Sequence, residues 1–160
     1  HGEDRRYHHV RLGINGRMDT LQAAILLAKL DIFPKEVEAR QKIGGRYTDL
    51  IKKHLETYAS LSQVVSVPYI EPYNLSVYAQ YTIEVLDRDF VQKHMNAQNI
   101  PTAVHYPTVL HQQPVFLSAE ASIKDYPVSE SAASRVVSLP MHPYLHQDQQ
   151  NSILTALFSL

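Results

Sequence analysis

A helix that is apolar on nearly every side is predicted at residues 18–30. Four large apolar residues fall near helical spacing there: Met18, Leu21, Ile25 and Leu30. The alanines and leucines between them extend the apolar surface to the other sides of the helix. A small domain cannot cover such a helix on every side by itself. The pattern therefore predicts that a partner subunit or a missing domain covers it.

A second helix, amphipathic in character, is predicted from Pro34 to Tyr58, because proline is favoured at the first helical position. One side of this helix is apolar: Val37, Ile43, Tyr47, Leu50, Ile51 and Leu55. Charged residues occupy most of the other side. Gly44 and Gly45 lie in its middle, where each glycine costs about 1 kcal/mol relative to alanine. They indicate either close packing against another backbone or a local bend.

The remainder of the chain is predicted to mix short strands with helices. Residues 1–16 are a loop with one brief strand at 7–12. Segments rich in β-branched and aromatic residues predict strands at 64–67, 78–86 and 100–106. Helices are predicted at 88–99, 127–138 and 147–160. The sum is an α+β fold in which helices cover a sheet of about three strands.

Composition narrows the functional classes. The 160 residues are 44% hydrophobic and 19% charged, with a formal net charge of −1 and no cysteine. This composition fits one globular domain, excludes a disulfide scaffold or a thiolate metal site, and is compatible with a reducing cytoplasm. Near-neutrality gives no reason to bind nucleic acid. A local basic cluster near the N-terminus nevertheless suits a phosphorylated ligand: Arg5, Arg6, Arg11 and Arg17.

Neither a membrane span nor a signal peptide is predicted from the sequence. The longest apolar stretch is too short to span a bilayer, and the polar N-terminus does not resemble a signal peptide. The first residue is His1 and not methionine. We therefore expect a chain that is processed, cut by design, or a segment of a longer protein.

The first candidate site is the polar turn before the apolar helix. Asp19 followed by Gln22 resembles a capping box. An amide donor, Asn15, and a guanidinium, Arg17, precede it and could form an anion site with the amides of the helix start. The alternative is structural, with Asn15 tolerating a left-handed turn beside Gly16 and Arg17 merely solvated.

The second candidate is the end of the strand predicted at 100–106. His105 and Tyr106 lie there, followed by Pro107, with His111 six positions after the first histidine. A histidine that is simply hydrogen-bonded at a strand end is the commoner case.

Two other kinds of site, a zinc site and an RNA-binding loop, are disfavoured by the sequence. His142 and His146 have the spacing of a helical zinc site, but Pro143 opposes a regular helix there and no glutamate adjoins either histidine. No metal is therefore expected. Residues 13–16 match the Gly-x-x-Gly loop of RNA-binding KH modules, although the neutral chain and the order of elements argue against that class.

The turn and helix together resemble a known family. The stretch Gly-Ile-Asn-Gly-Arg-Met-Asp-Thr-Leu-Gln-Ala-Ala at 13–24 is similar to a motif of the DegT/DnrJ/EryC1/StrS aminotransferases. The segments His105-Tyr106-Pro107 and 138–143 support the resemblance, which extends over essentially the whole chain. It implies the C-terminal part of a fold-type I aminotransferase, with a small antiparallel sheet, that uses pyridoxal phosphate and transfers an amino group to a keto-sugar nucleotide.

The resemblance also implies roles and boundaries. Asn15 would reach across a homodimer to the phosphate of the partner's cofactor, and Arg17, His105 and Tyr106 would contact the sugar nucleotide. Residues 1–17 would belong to a missing large domain and 18–160 to the small domain. Glutamate is the expected amino donor, surface polysaccharide or amino-sugar biosynthesis the expected process, and the cytoplasm the expected compartment. The arginine-rich run at 5–9 is closest to bacterial members acting on UDP-linked 3-keto sugars.

One element of that family's chemistry is not found in the sequence. None of the lysines has the context of the family's Schiff-base lysine: Lys29, Lys35, Lys42, Lys52, Lys53, Lys93 and Lys124. The chain alone is therefore predicted to be inactive. A non-catalytic module for dimerisation or sugar-nucleotide binding, derived from the same family, remains the alternative.

Overall fold

A computed structural model describes residues 1–58, 60, 62–117 and 125–160 of the chain. The described helices are α1 (Thr20–Lys29), α2 (Phe33–Tyr58), α3 (Arg88–Ala97), α4 (Pro114–Leu117), α5 (Pro127–Arg135) and α6 (Gln147–Phe158). The described strands are β1 (Glu3–Arg5), β2 (His8–His9), β3 (Val64–Ser66), β4 (Tyr81–Val85) and β5 (Val136–Leu139). These elements form two compact units, one of residues 1–29 and 106–134, the other of residues 30–105 and 135–160.

The second unit is built on an antiparallel sheet in the order β3-β4-β5. Strand β4 is its middle strand and pairs Tyr81 with Leu139 and Thr82 with Ser138. Successive side chains of a strand point to opposite faces. Tyr81, Ile83 and Val85 are accordingly buried, while Thr82 and Glu84 are only partly buried. The sheet therefore has one apolar core face and one more polar face.

Helices supply the rest of this unit's core. Side chains of α2, α3 and α6 join those of the sheet in one cluster: Ile43, Tyr47, Ile51, Val91, Met95, Ile153, Leu154 and Leu157. Asp87 caps α3, since its carboxylate accepts from the amide of Phe90 at 2.9 Å. Burial raises the pKa of both Tyr47 and Tyr81 well above the ordinary value of 10.0. The expectation of an α+β fold with helices on a small antiparallel sheet is thus confirmed.

The identity of the third strand differs from the prediction. Residues 100–106 do not form a strand, and Ala103 makes only an isolated bridge with Ser138. The third strand is β5, which falls in the segment 127–138 that was predicted as one helix. That helix, α5, ends at Arg135. Pairing with β4 decides the outcome, because a β-branched pair at 136 and 137 gains more from the ladder than from continuing a helix.

Gly44 and Gly45 sit in α2 without ending it. A Cβ added at Gly44 would lie 2.6 Å from the ring of Tyr78, whereas one added at Gly45 would meet nothing within 4 Å. Gly44 therefore makes room for an aromatic ring and not for another backbone, which was one of the two explanations that the sequence indicated. Tyr78 itself has a positive φ of 42°, and Arg40 donates to its carbonyl at 2.9 Å.

The first unit contains the β1–β2 hairpin and helices α1, α4 and α5. The predicted brief strand at 7–12 is shorter than expected, since β2 covers only His8–His9 and pairs with β1. Gln113 is 4% exposed. Its side chain accepts from the amide of His9 at 3.0 Å and donates to the carbonyl of Tyr7 at 3.1 Å. The buried side-chain amide of Gln113 thus fixes the hairpin through two hydrogen bonds to its backbone.

Among the described residues, no helix combines the length and the apolar character that crossing a membrane requires.

Candidate functional site

Asn15 and Arg17 lie in an exposed segment that leads into α1. The segment has no regular secondary structure, and every residue from 10 to 22 is exposed. An amide donor and a guanidinium two positions apart on such a segment can both reach an anion in solution or on another chain. The predicted pair is therefore accessible.

The start of α1 is capped as the sequence indicated. The amide of Gln22 donates to Asp19 Oδ1 at 2.8 Å, and the amide of Asp19 donates to Gln22 Oε1 at 3.2 Å. This reciprocal pair is a capping box. It also occupies two of the amides that a helix start could offer to an anion. An anion here would consequently depend on the side chains of Asn15 and Arg17.

Helix α1 buries none of its residues in the described structure. Its large apolar side chains are exposed: Leu21 by 78%, Ile25 by 59%, Leu26 by 51% and Leu27 by 67%. Exposed apolar patches of this kind mark interaction surfaces. The geometry agrees with the expectation that cover comes from outside the chain.

Tyr106 lies in the first unit, packed against the N-terminal hairpin. Its ring meets that of Tyr7 edge-on, with centroids 5.5 Å apart. Arg6 lies over the Tyr7 ring at 4.9 Å and donates to the Tyr7 hydroxyl at 3.0 Å. Tyr106 remains 59% exposed. A half-exposed phenol can donate to phosphate or sugar oxygens.

His105 belongs to the second unit and is tied to the polar face of its sheet. Its Nδ1 lies 2.9 Å from Ser138 Oγ, which in turn lies 2.8 Å from Thr82 Oγ1. The sequence does not predict a role for Ser138 or Thr82, because residue 138 falls at the end of a predicted helix. The alternation of Thr82 between the apolar residues Tyr81 and Ile83 was the available signal.

His111, the other histidine of the motif, pairs with a carboxylate in the first unit. Its Nε2 lies 2.7 Å from Glu130 Oε1, and the amide of Tyr126 donates to the same oxygen at 3.2 Å. These hydrogen bonds, that of His111 foremost, lower the pKa of Glu130 below its ordinary value of 4.5. The pair joins the segment after Tyr106 to α5, so its role is structural in this geometry.

Glu130→Gln should reduce the loss of thermal stability that occurs as the pH is lowered. A carboxyl whose pKa is lowered by folding adds stability above its unfolded pKa, and this stability is lost as pH falls through the folded pKa. The wild type should therefore lose more thermal stability than Glu130→Gln between about pH 7 and about pH 3. Thermal unfolding of the natural protein measures this. Glu56→Gln, on the exposed surface of α2, is the control, and equal acid losses in wild type and Glu130→Gln would contradict the assignment.

The remaining histidines provide no metal centre within the described chain. The described residues contain no group of three or more histidine, cysteine, aspartate or glutamate side chains placed to hold a metal ion. His142 lies in an irregular segment, and His146 immediately precedes α6 and donates its amide to Gln149 Oε1 at 3.0 Å. The two histidines are therefore not on one helical face.

The donor set fits part of a pyridoxal phosphate site. The side chains of Asn15 and Arg17 are suited to a phosphate group. The six described lysines, which exclude Lys124 because it lies outside the described residues, are exposed on α1, α2 and α3: Lys29, Lys35, Lys42, Lys52, Lys53 and Lys93. The described residues thus offer hydrogen-bond donors suited to a phosphate group, and no described lysine is buried.

Comparison with known proteins bears on the same residues. The sequence model of the DegT/DnrJ/EryC1/StrS aminotransferase family matches residues 1–158. The chain is 49% identical over 158 residues to the UDP-2-acetamido-2-deoxy-3-oxo-D-glucuronate aminotransferase of Pseudomonas aeruginosa, covering 98% of this chain and 40% of that protein. It is 34% identical over 157 residues to the UDP-N-acetyl-3-dehydro-alpha-D-glucosamine 3-aminotransferase of Acidithiobacillus ferrooxidans, with coverage of 98% and 40%.

Solved structures agree with the sequence comparison. A DegT DnrJ EryC1 StrS aminotransferase from Brucella abortus superposes with a TM-score of 0.75 at 40% identity, covering 99% of this chain and 40% of that one. The chain therefore spans 40% of the length of these relatives. The match nevertheless extends over nearly all of the present sequence, and it includes the motif around Asn15 and Arg17. The chain belongs to the DegT/DnrJ/EryC1/StrS aminotransferase family.

Proposed function

We propose that this chain is the C-terminal part of a pyridoxal phosphate-dependent aminotransferase that transfers an amino group to a keto-sugar nucleotide. The observation that carries the proposal is the 49% identity to a UDP-2-acetamido-2-deoxy-3-oxo-D-glucuronate aminotransferase. The accessible Asn15–Arg17 segment supports it. A UDP-linked 3-keto sugar is the proposed substrate class, glutamate the amino donor, and surface polysaccharide or amino-sugar biosynthesis in the cytoplasm the setting.

Each predicted site residue has a role in this proposal. The side-chain NH2 group of Asn15 would donate a hydrogen bond to the cofactor phosphate held by the partner subunit. Arg17 pairs with an anionic group of the sugar nucleotide, and His105 and Tyr106 donate to its oxygens. When bound, pyridoxal phosphate supplies the electron sink that amino-group transfer requires. The chain's own residues bind and orient the phosphate and the sugar.

The proposed reaction requires a Schiff-base lysine, which the described residues do not supply. We assign the Schiff-base lysine to a large domain upstream of this chain, with residues 1–17 forming part of it and 18–160 forming the small domain. Helix α1 would be covered by that domain or by the second subunit of a homodimer. The 160 residues alone should then have no transaminase activity.

Asn15→Ala should weaken cofactor binding by the natural protein. Loss of one hydrogen bond to a charged phosphate group costs about 1.5–3 kcal/mol, which corresponds to an increase in Kd of about tenfold to about a hundredfold. Titration of the apoprotein with pyridoxal phosphate, followed by absorbance, measures the Kd. Asn74→Ala, in an exposed loop of the second unit, is the matched control and should leave the Kd unchanged. An unchanged Kd in Asn15→Ala would remove Asn15 from the site.

The alternative is a non-catalytic module of the same family. The exposed apolar surface of α1 favours it as well, since that surface could join two such modules. The intact mass of the protein purified from its source cell decides between the two functions. A mass well above 18.2 kDa supports the aminotransferase, and a mass near that value supports the module.

A further inference from the structure

Ser138 occupies a fixed position beneath His105. It is 4% exposed and lies in β5. Its backbone pairs with Ala103 in both directions, with N–O distances of 2.7 Å from the Ser138 amide and 3.1 Å from the Ala103 amide. The same residue faces Thr82 in the β4–β5 ladder. The location of its hydroxyl is therefore set by the sheet and by the segment that carries His105.

Three polar side chains form a short chain at this point. Ser138 Oγ lies 2.8 Å from Thr82 Oγ1 and 2.9 Å from His105 Nδ1. Both distances are those of ordinary hydrogen bonds. Ser138 is almost completely buried, so an unmade hydrogen bond there would carry a desolvation cost.

The proton count allows two orders along this chain. A serine hydroxyl has one proton to donate and can also accept. Either Thr82 donates to Ser138 and Ser138 donates to Nδ1, or Nδ1 donates to Ser138 and Ser138 donates to Thr82. The first order places the proton of the neutral imidazole on Nε2, and the second places it on Nδ1.

We propose that Ser138 is a positioning residue that donates to His105 Nδ1, and so holds the ring with Nε2 as a hydrogen-bond donor toward the sugar nucleotide. This inference rests on the proposed function. A keto-sugar nucleotide presents phosphate and carbonyl oxygens, which only accept hydrogen bonds. A donor on Nε2 complements these oxygens, whereas an unprotonated Nε2 would repel them. Thr82 completes the chain by donating to Ser138.

The first test reads the tautomer directly and needs no activity. The natural protein is labelled with ¹⁵N in histidine and studied by solid-state NMR without ligand, and His105→Asn identifies the His105 signals. We expect an unprotonated Nδ1 and a protonated Nε2 in the wild type. Ser138→Ala and Thr82→Val should shift or broaden these signals, and Thr82→Ser, which keeps the hydroxyl, should not. A protonated Nδ1 in the wild type, or an unchanged spectrum in Ser138→Ala, would overturn the inference.

The second test asks whether Ser138 acts through His105. With UDP-2-acetamido-2-deoxy-3-oxo-D-glucuronate as the probe, Ser138→Ala should raise KM by up to about tenfold, the worth of one hydrogen bond, with little change in kcat. In the His105→Asn background, Ser138→Ala should have no further effect, because coupled residues are not additive. Additive effects would mean that Ser138 acts independently of His105, which contradicts the proposal.

The two tests separate failure of the inference from failure of the proposed function. A natural protein that transfers no amino group to any keto-sugar nucleotide refutes the function, whatever the NMR spectrum shows. An active enzyme with His105 in the other tautomer refutes only the positioning role of Ser138.

Discussion

Aspartate at positions 21 and 25 should disrupt the contact that covers α1 in the natural protein. Leu21 and Ile25 are 78% and 59% exposed in this chain. If another surface covers them, two carboxylates would be buried there without a partner. A buried unpaired charge costs about 3 kcal/mol or more, so association should weaken by at least about a hundredfold. Sedimentation velocity over a range of concentrations measures this.

The location of the covering surface decides which quantity changes. A partner subunit predicts dissociation of the Leu21→Asp, Ile25→Asp protein, and an upstream domain of the same chain predicts unchanged association with a lower thermal midpoint. Lys52→Asp, on the exposed surface of α2, is the control for an added acidic group on a helix. If the double variant matches wild type in both measurements, the α1 surface is not an interface.

Alanine substitutions at the two neighbouring glycines of α2 should change stability in opposite directions. Alanine favours a helix over glycine by about 1 kcal/mol. At Gly45, where a Cβ would meet nothing within 4 Å, this gain should appear undiminished. At Gly44 the Cβ would lie 2.6 Å from the Tyr78 ring. Overpacking of that kind costs about 1–3 kcal/mol, so Gly44→Ala should be destabilising on balance.

Two hydrogen bonds restrain the backbone of Tyr78. The carbonyl of Tyr78 accepts from Arg40 at 2.9 Å, and its amide donates to Ser76 Oγ at 3.1 Å. Urea denaturation of the natural protein and both variants gives the free energies of unfolding. Tyr78→Ala combined with Gly44→Ala is the decisive control, because removal of the ring should restore the helical gain. Equal stabilities of the two single variants would show that the ring yields freely.

Apart from the short α4 and the end of α5, the described helices were predictable because their signals are local. Helix α3 begins directly after its capping residue Asp87. Helix α6 buries Ile153, Leu154 and Leu157, which recur at helical spacing. The third strand was not predictable in the same way. Residues 136–139 form a strand because they pair with β4. That partner is distant along the chain, so no local sequence pattern predicts the pairing.

The candidate site divides along similar lines. Resemblance to family motifs predicted four site residues: Asn15, Arg17, His105 and Tyr106. The capping box at Asp19 was predictable from residue spacing alone. The supporting contacts of His105 and His111 were not readable, because Ser138 and Glu130 lie 33 and 19 positions away along the chain. Side-chain pairs across such separations follow from tertiary structure and leave no periodic pattern in the sequence.

Gln113 gives the N-terminal hairpin a particular place in the order of folding. The hairpin has two strands, and two strands alone are marginally stable in water. Gln113 accepts a hydrogen bond from His9 and donates one to Tyr7, and these bonds span 104 and 106 positions of the chain. Contacts of such high sequence separation form only after the entropy of closing a long loop is overcome. The hairpin, and with it the Tyr7 ring against which Tyr106 packs, should therefore be among the last parts of the chain to become ordered.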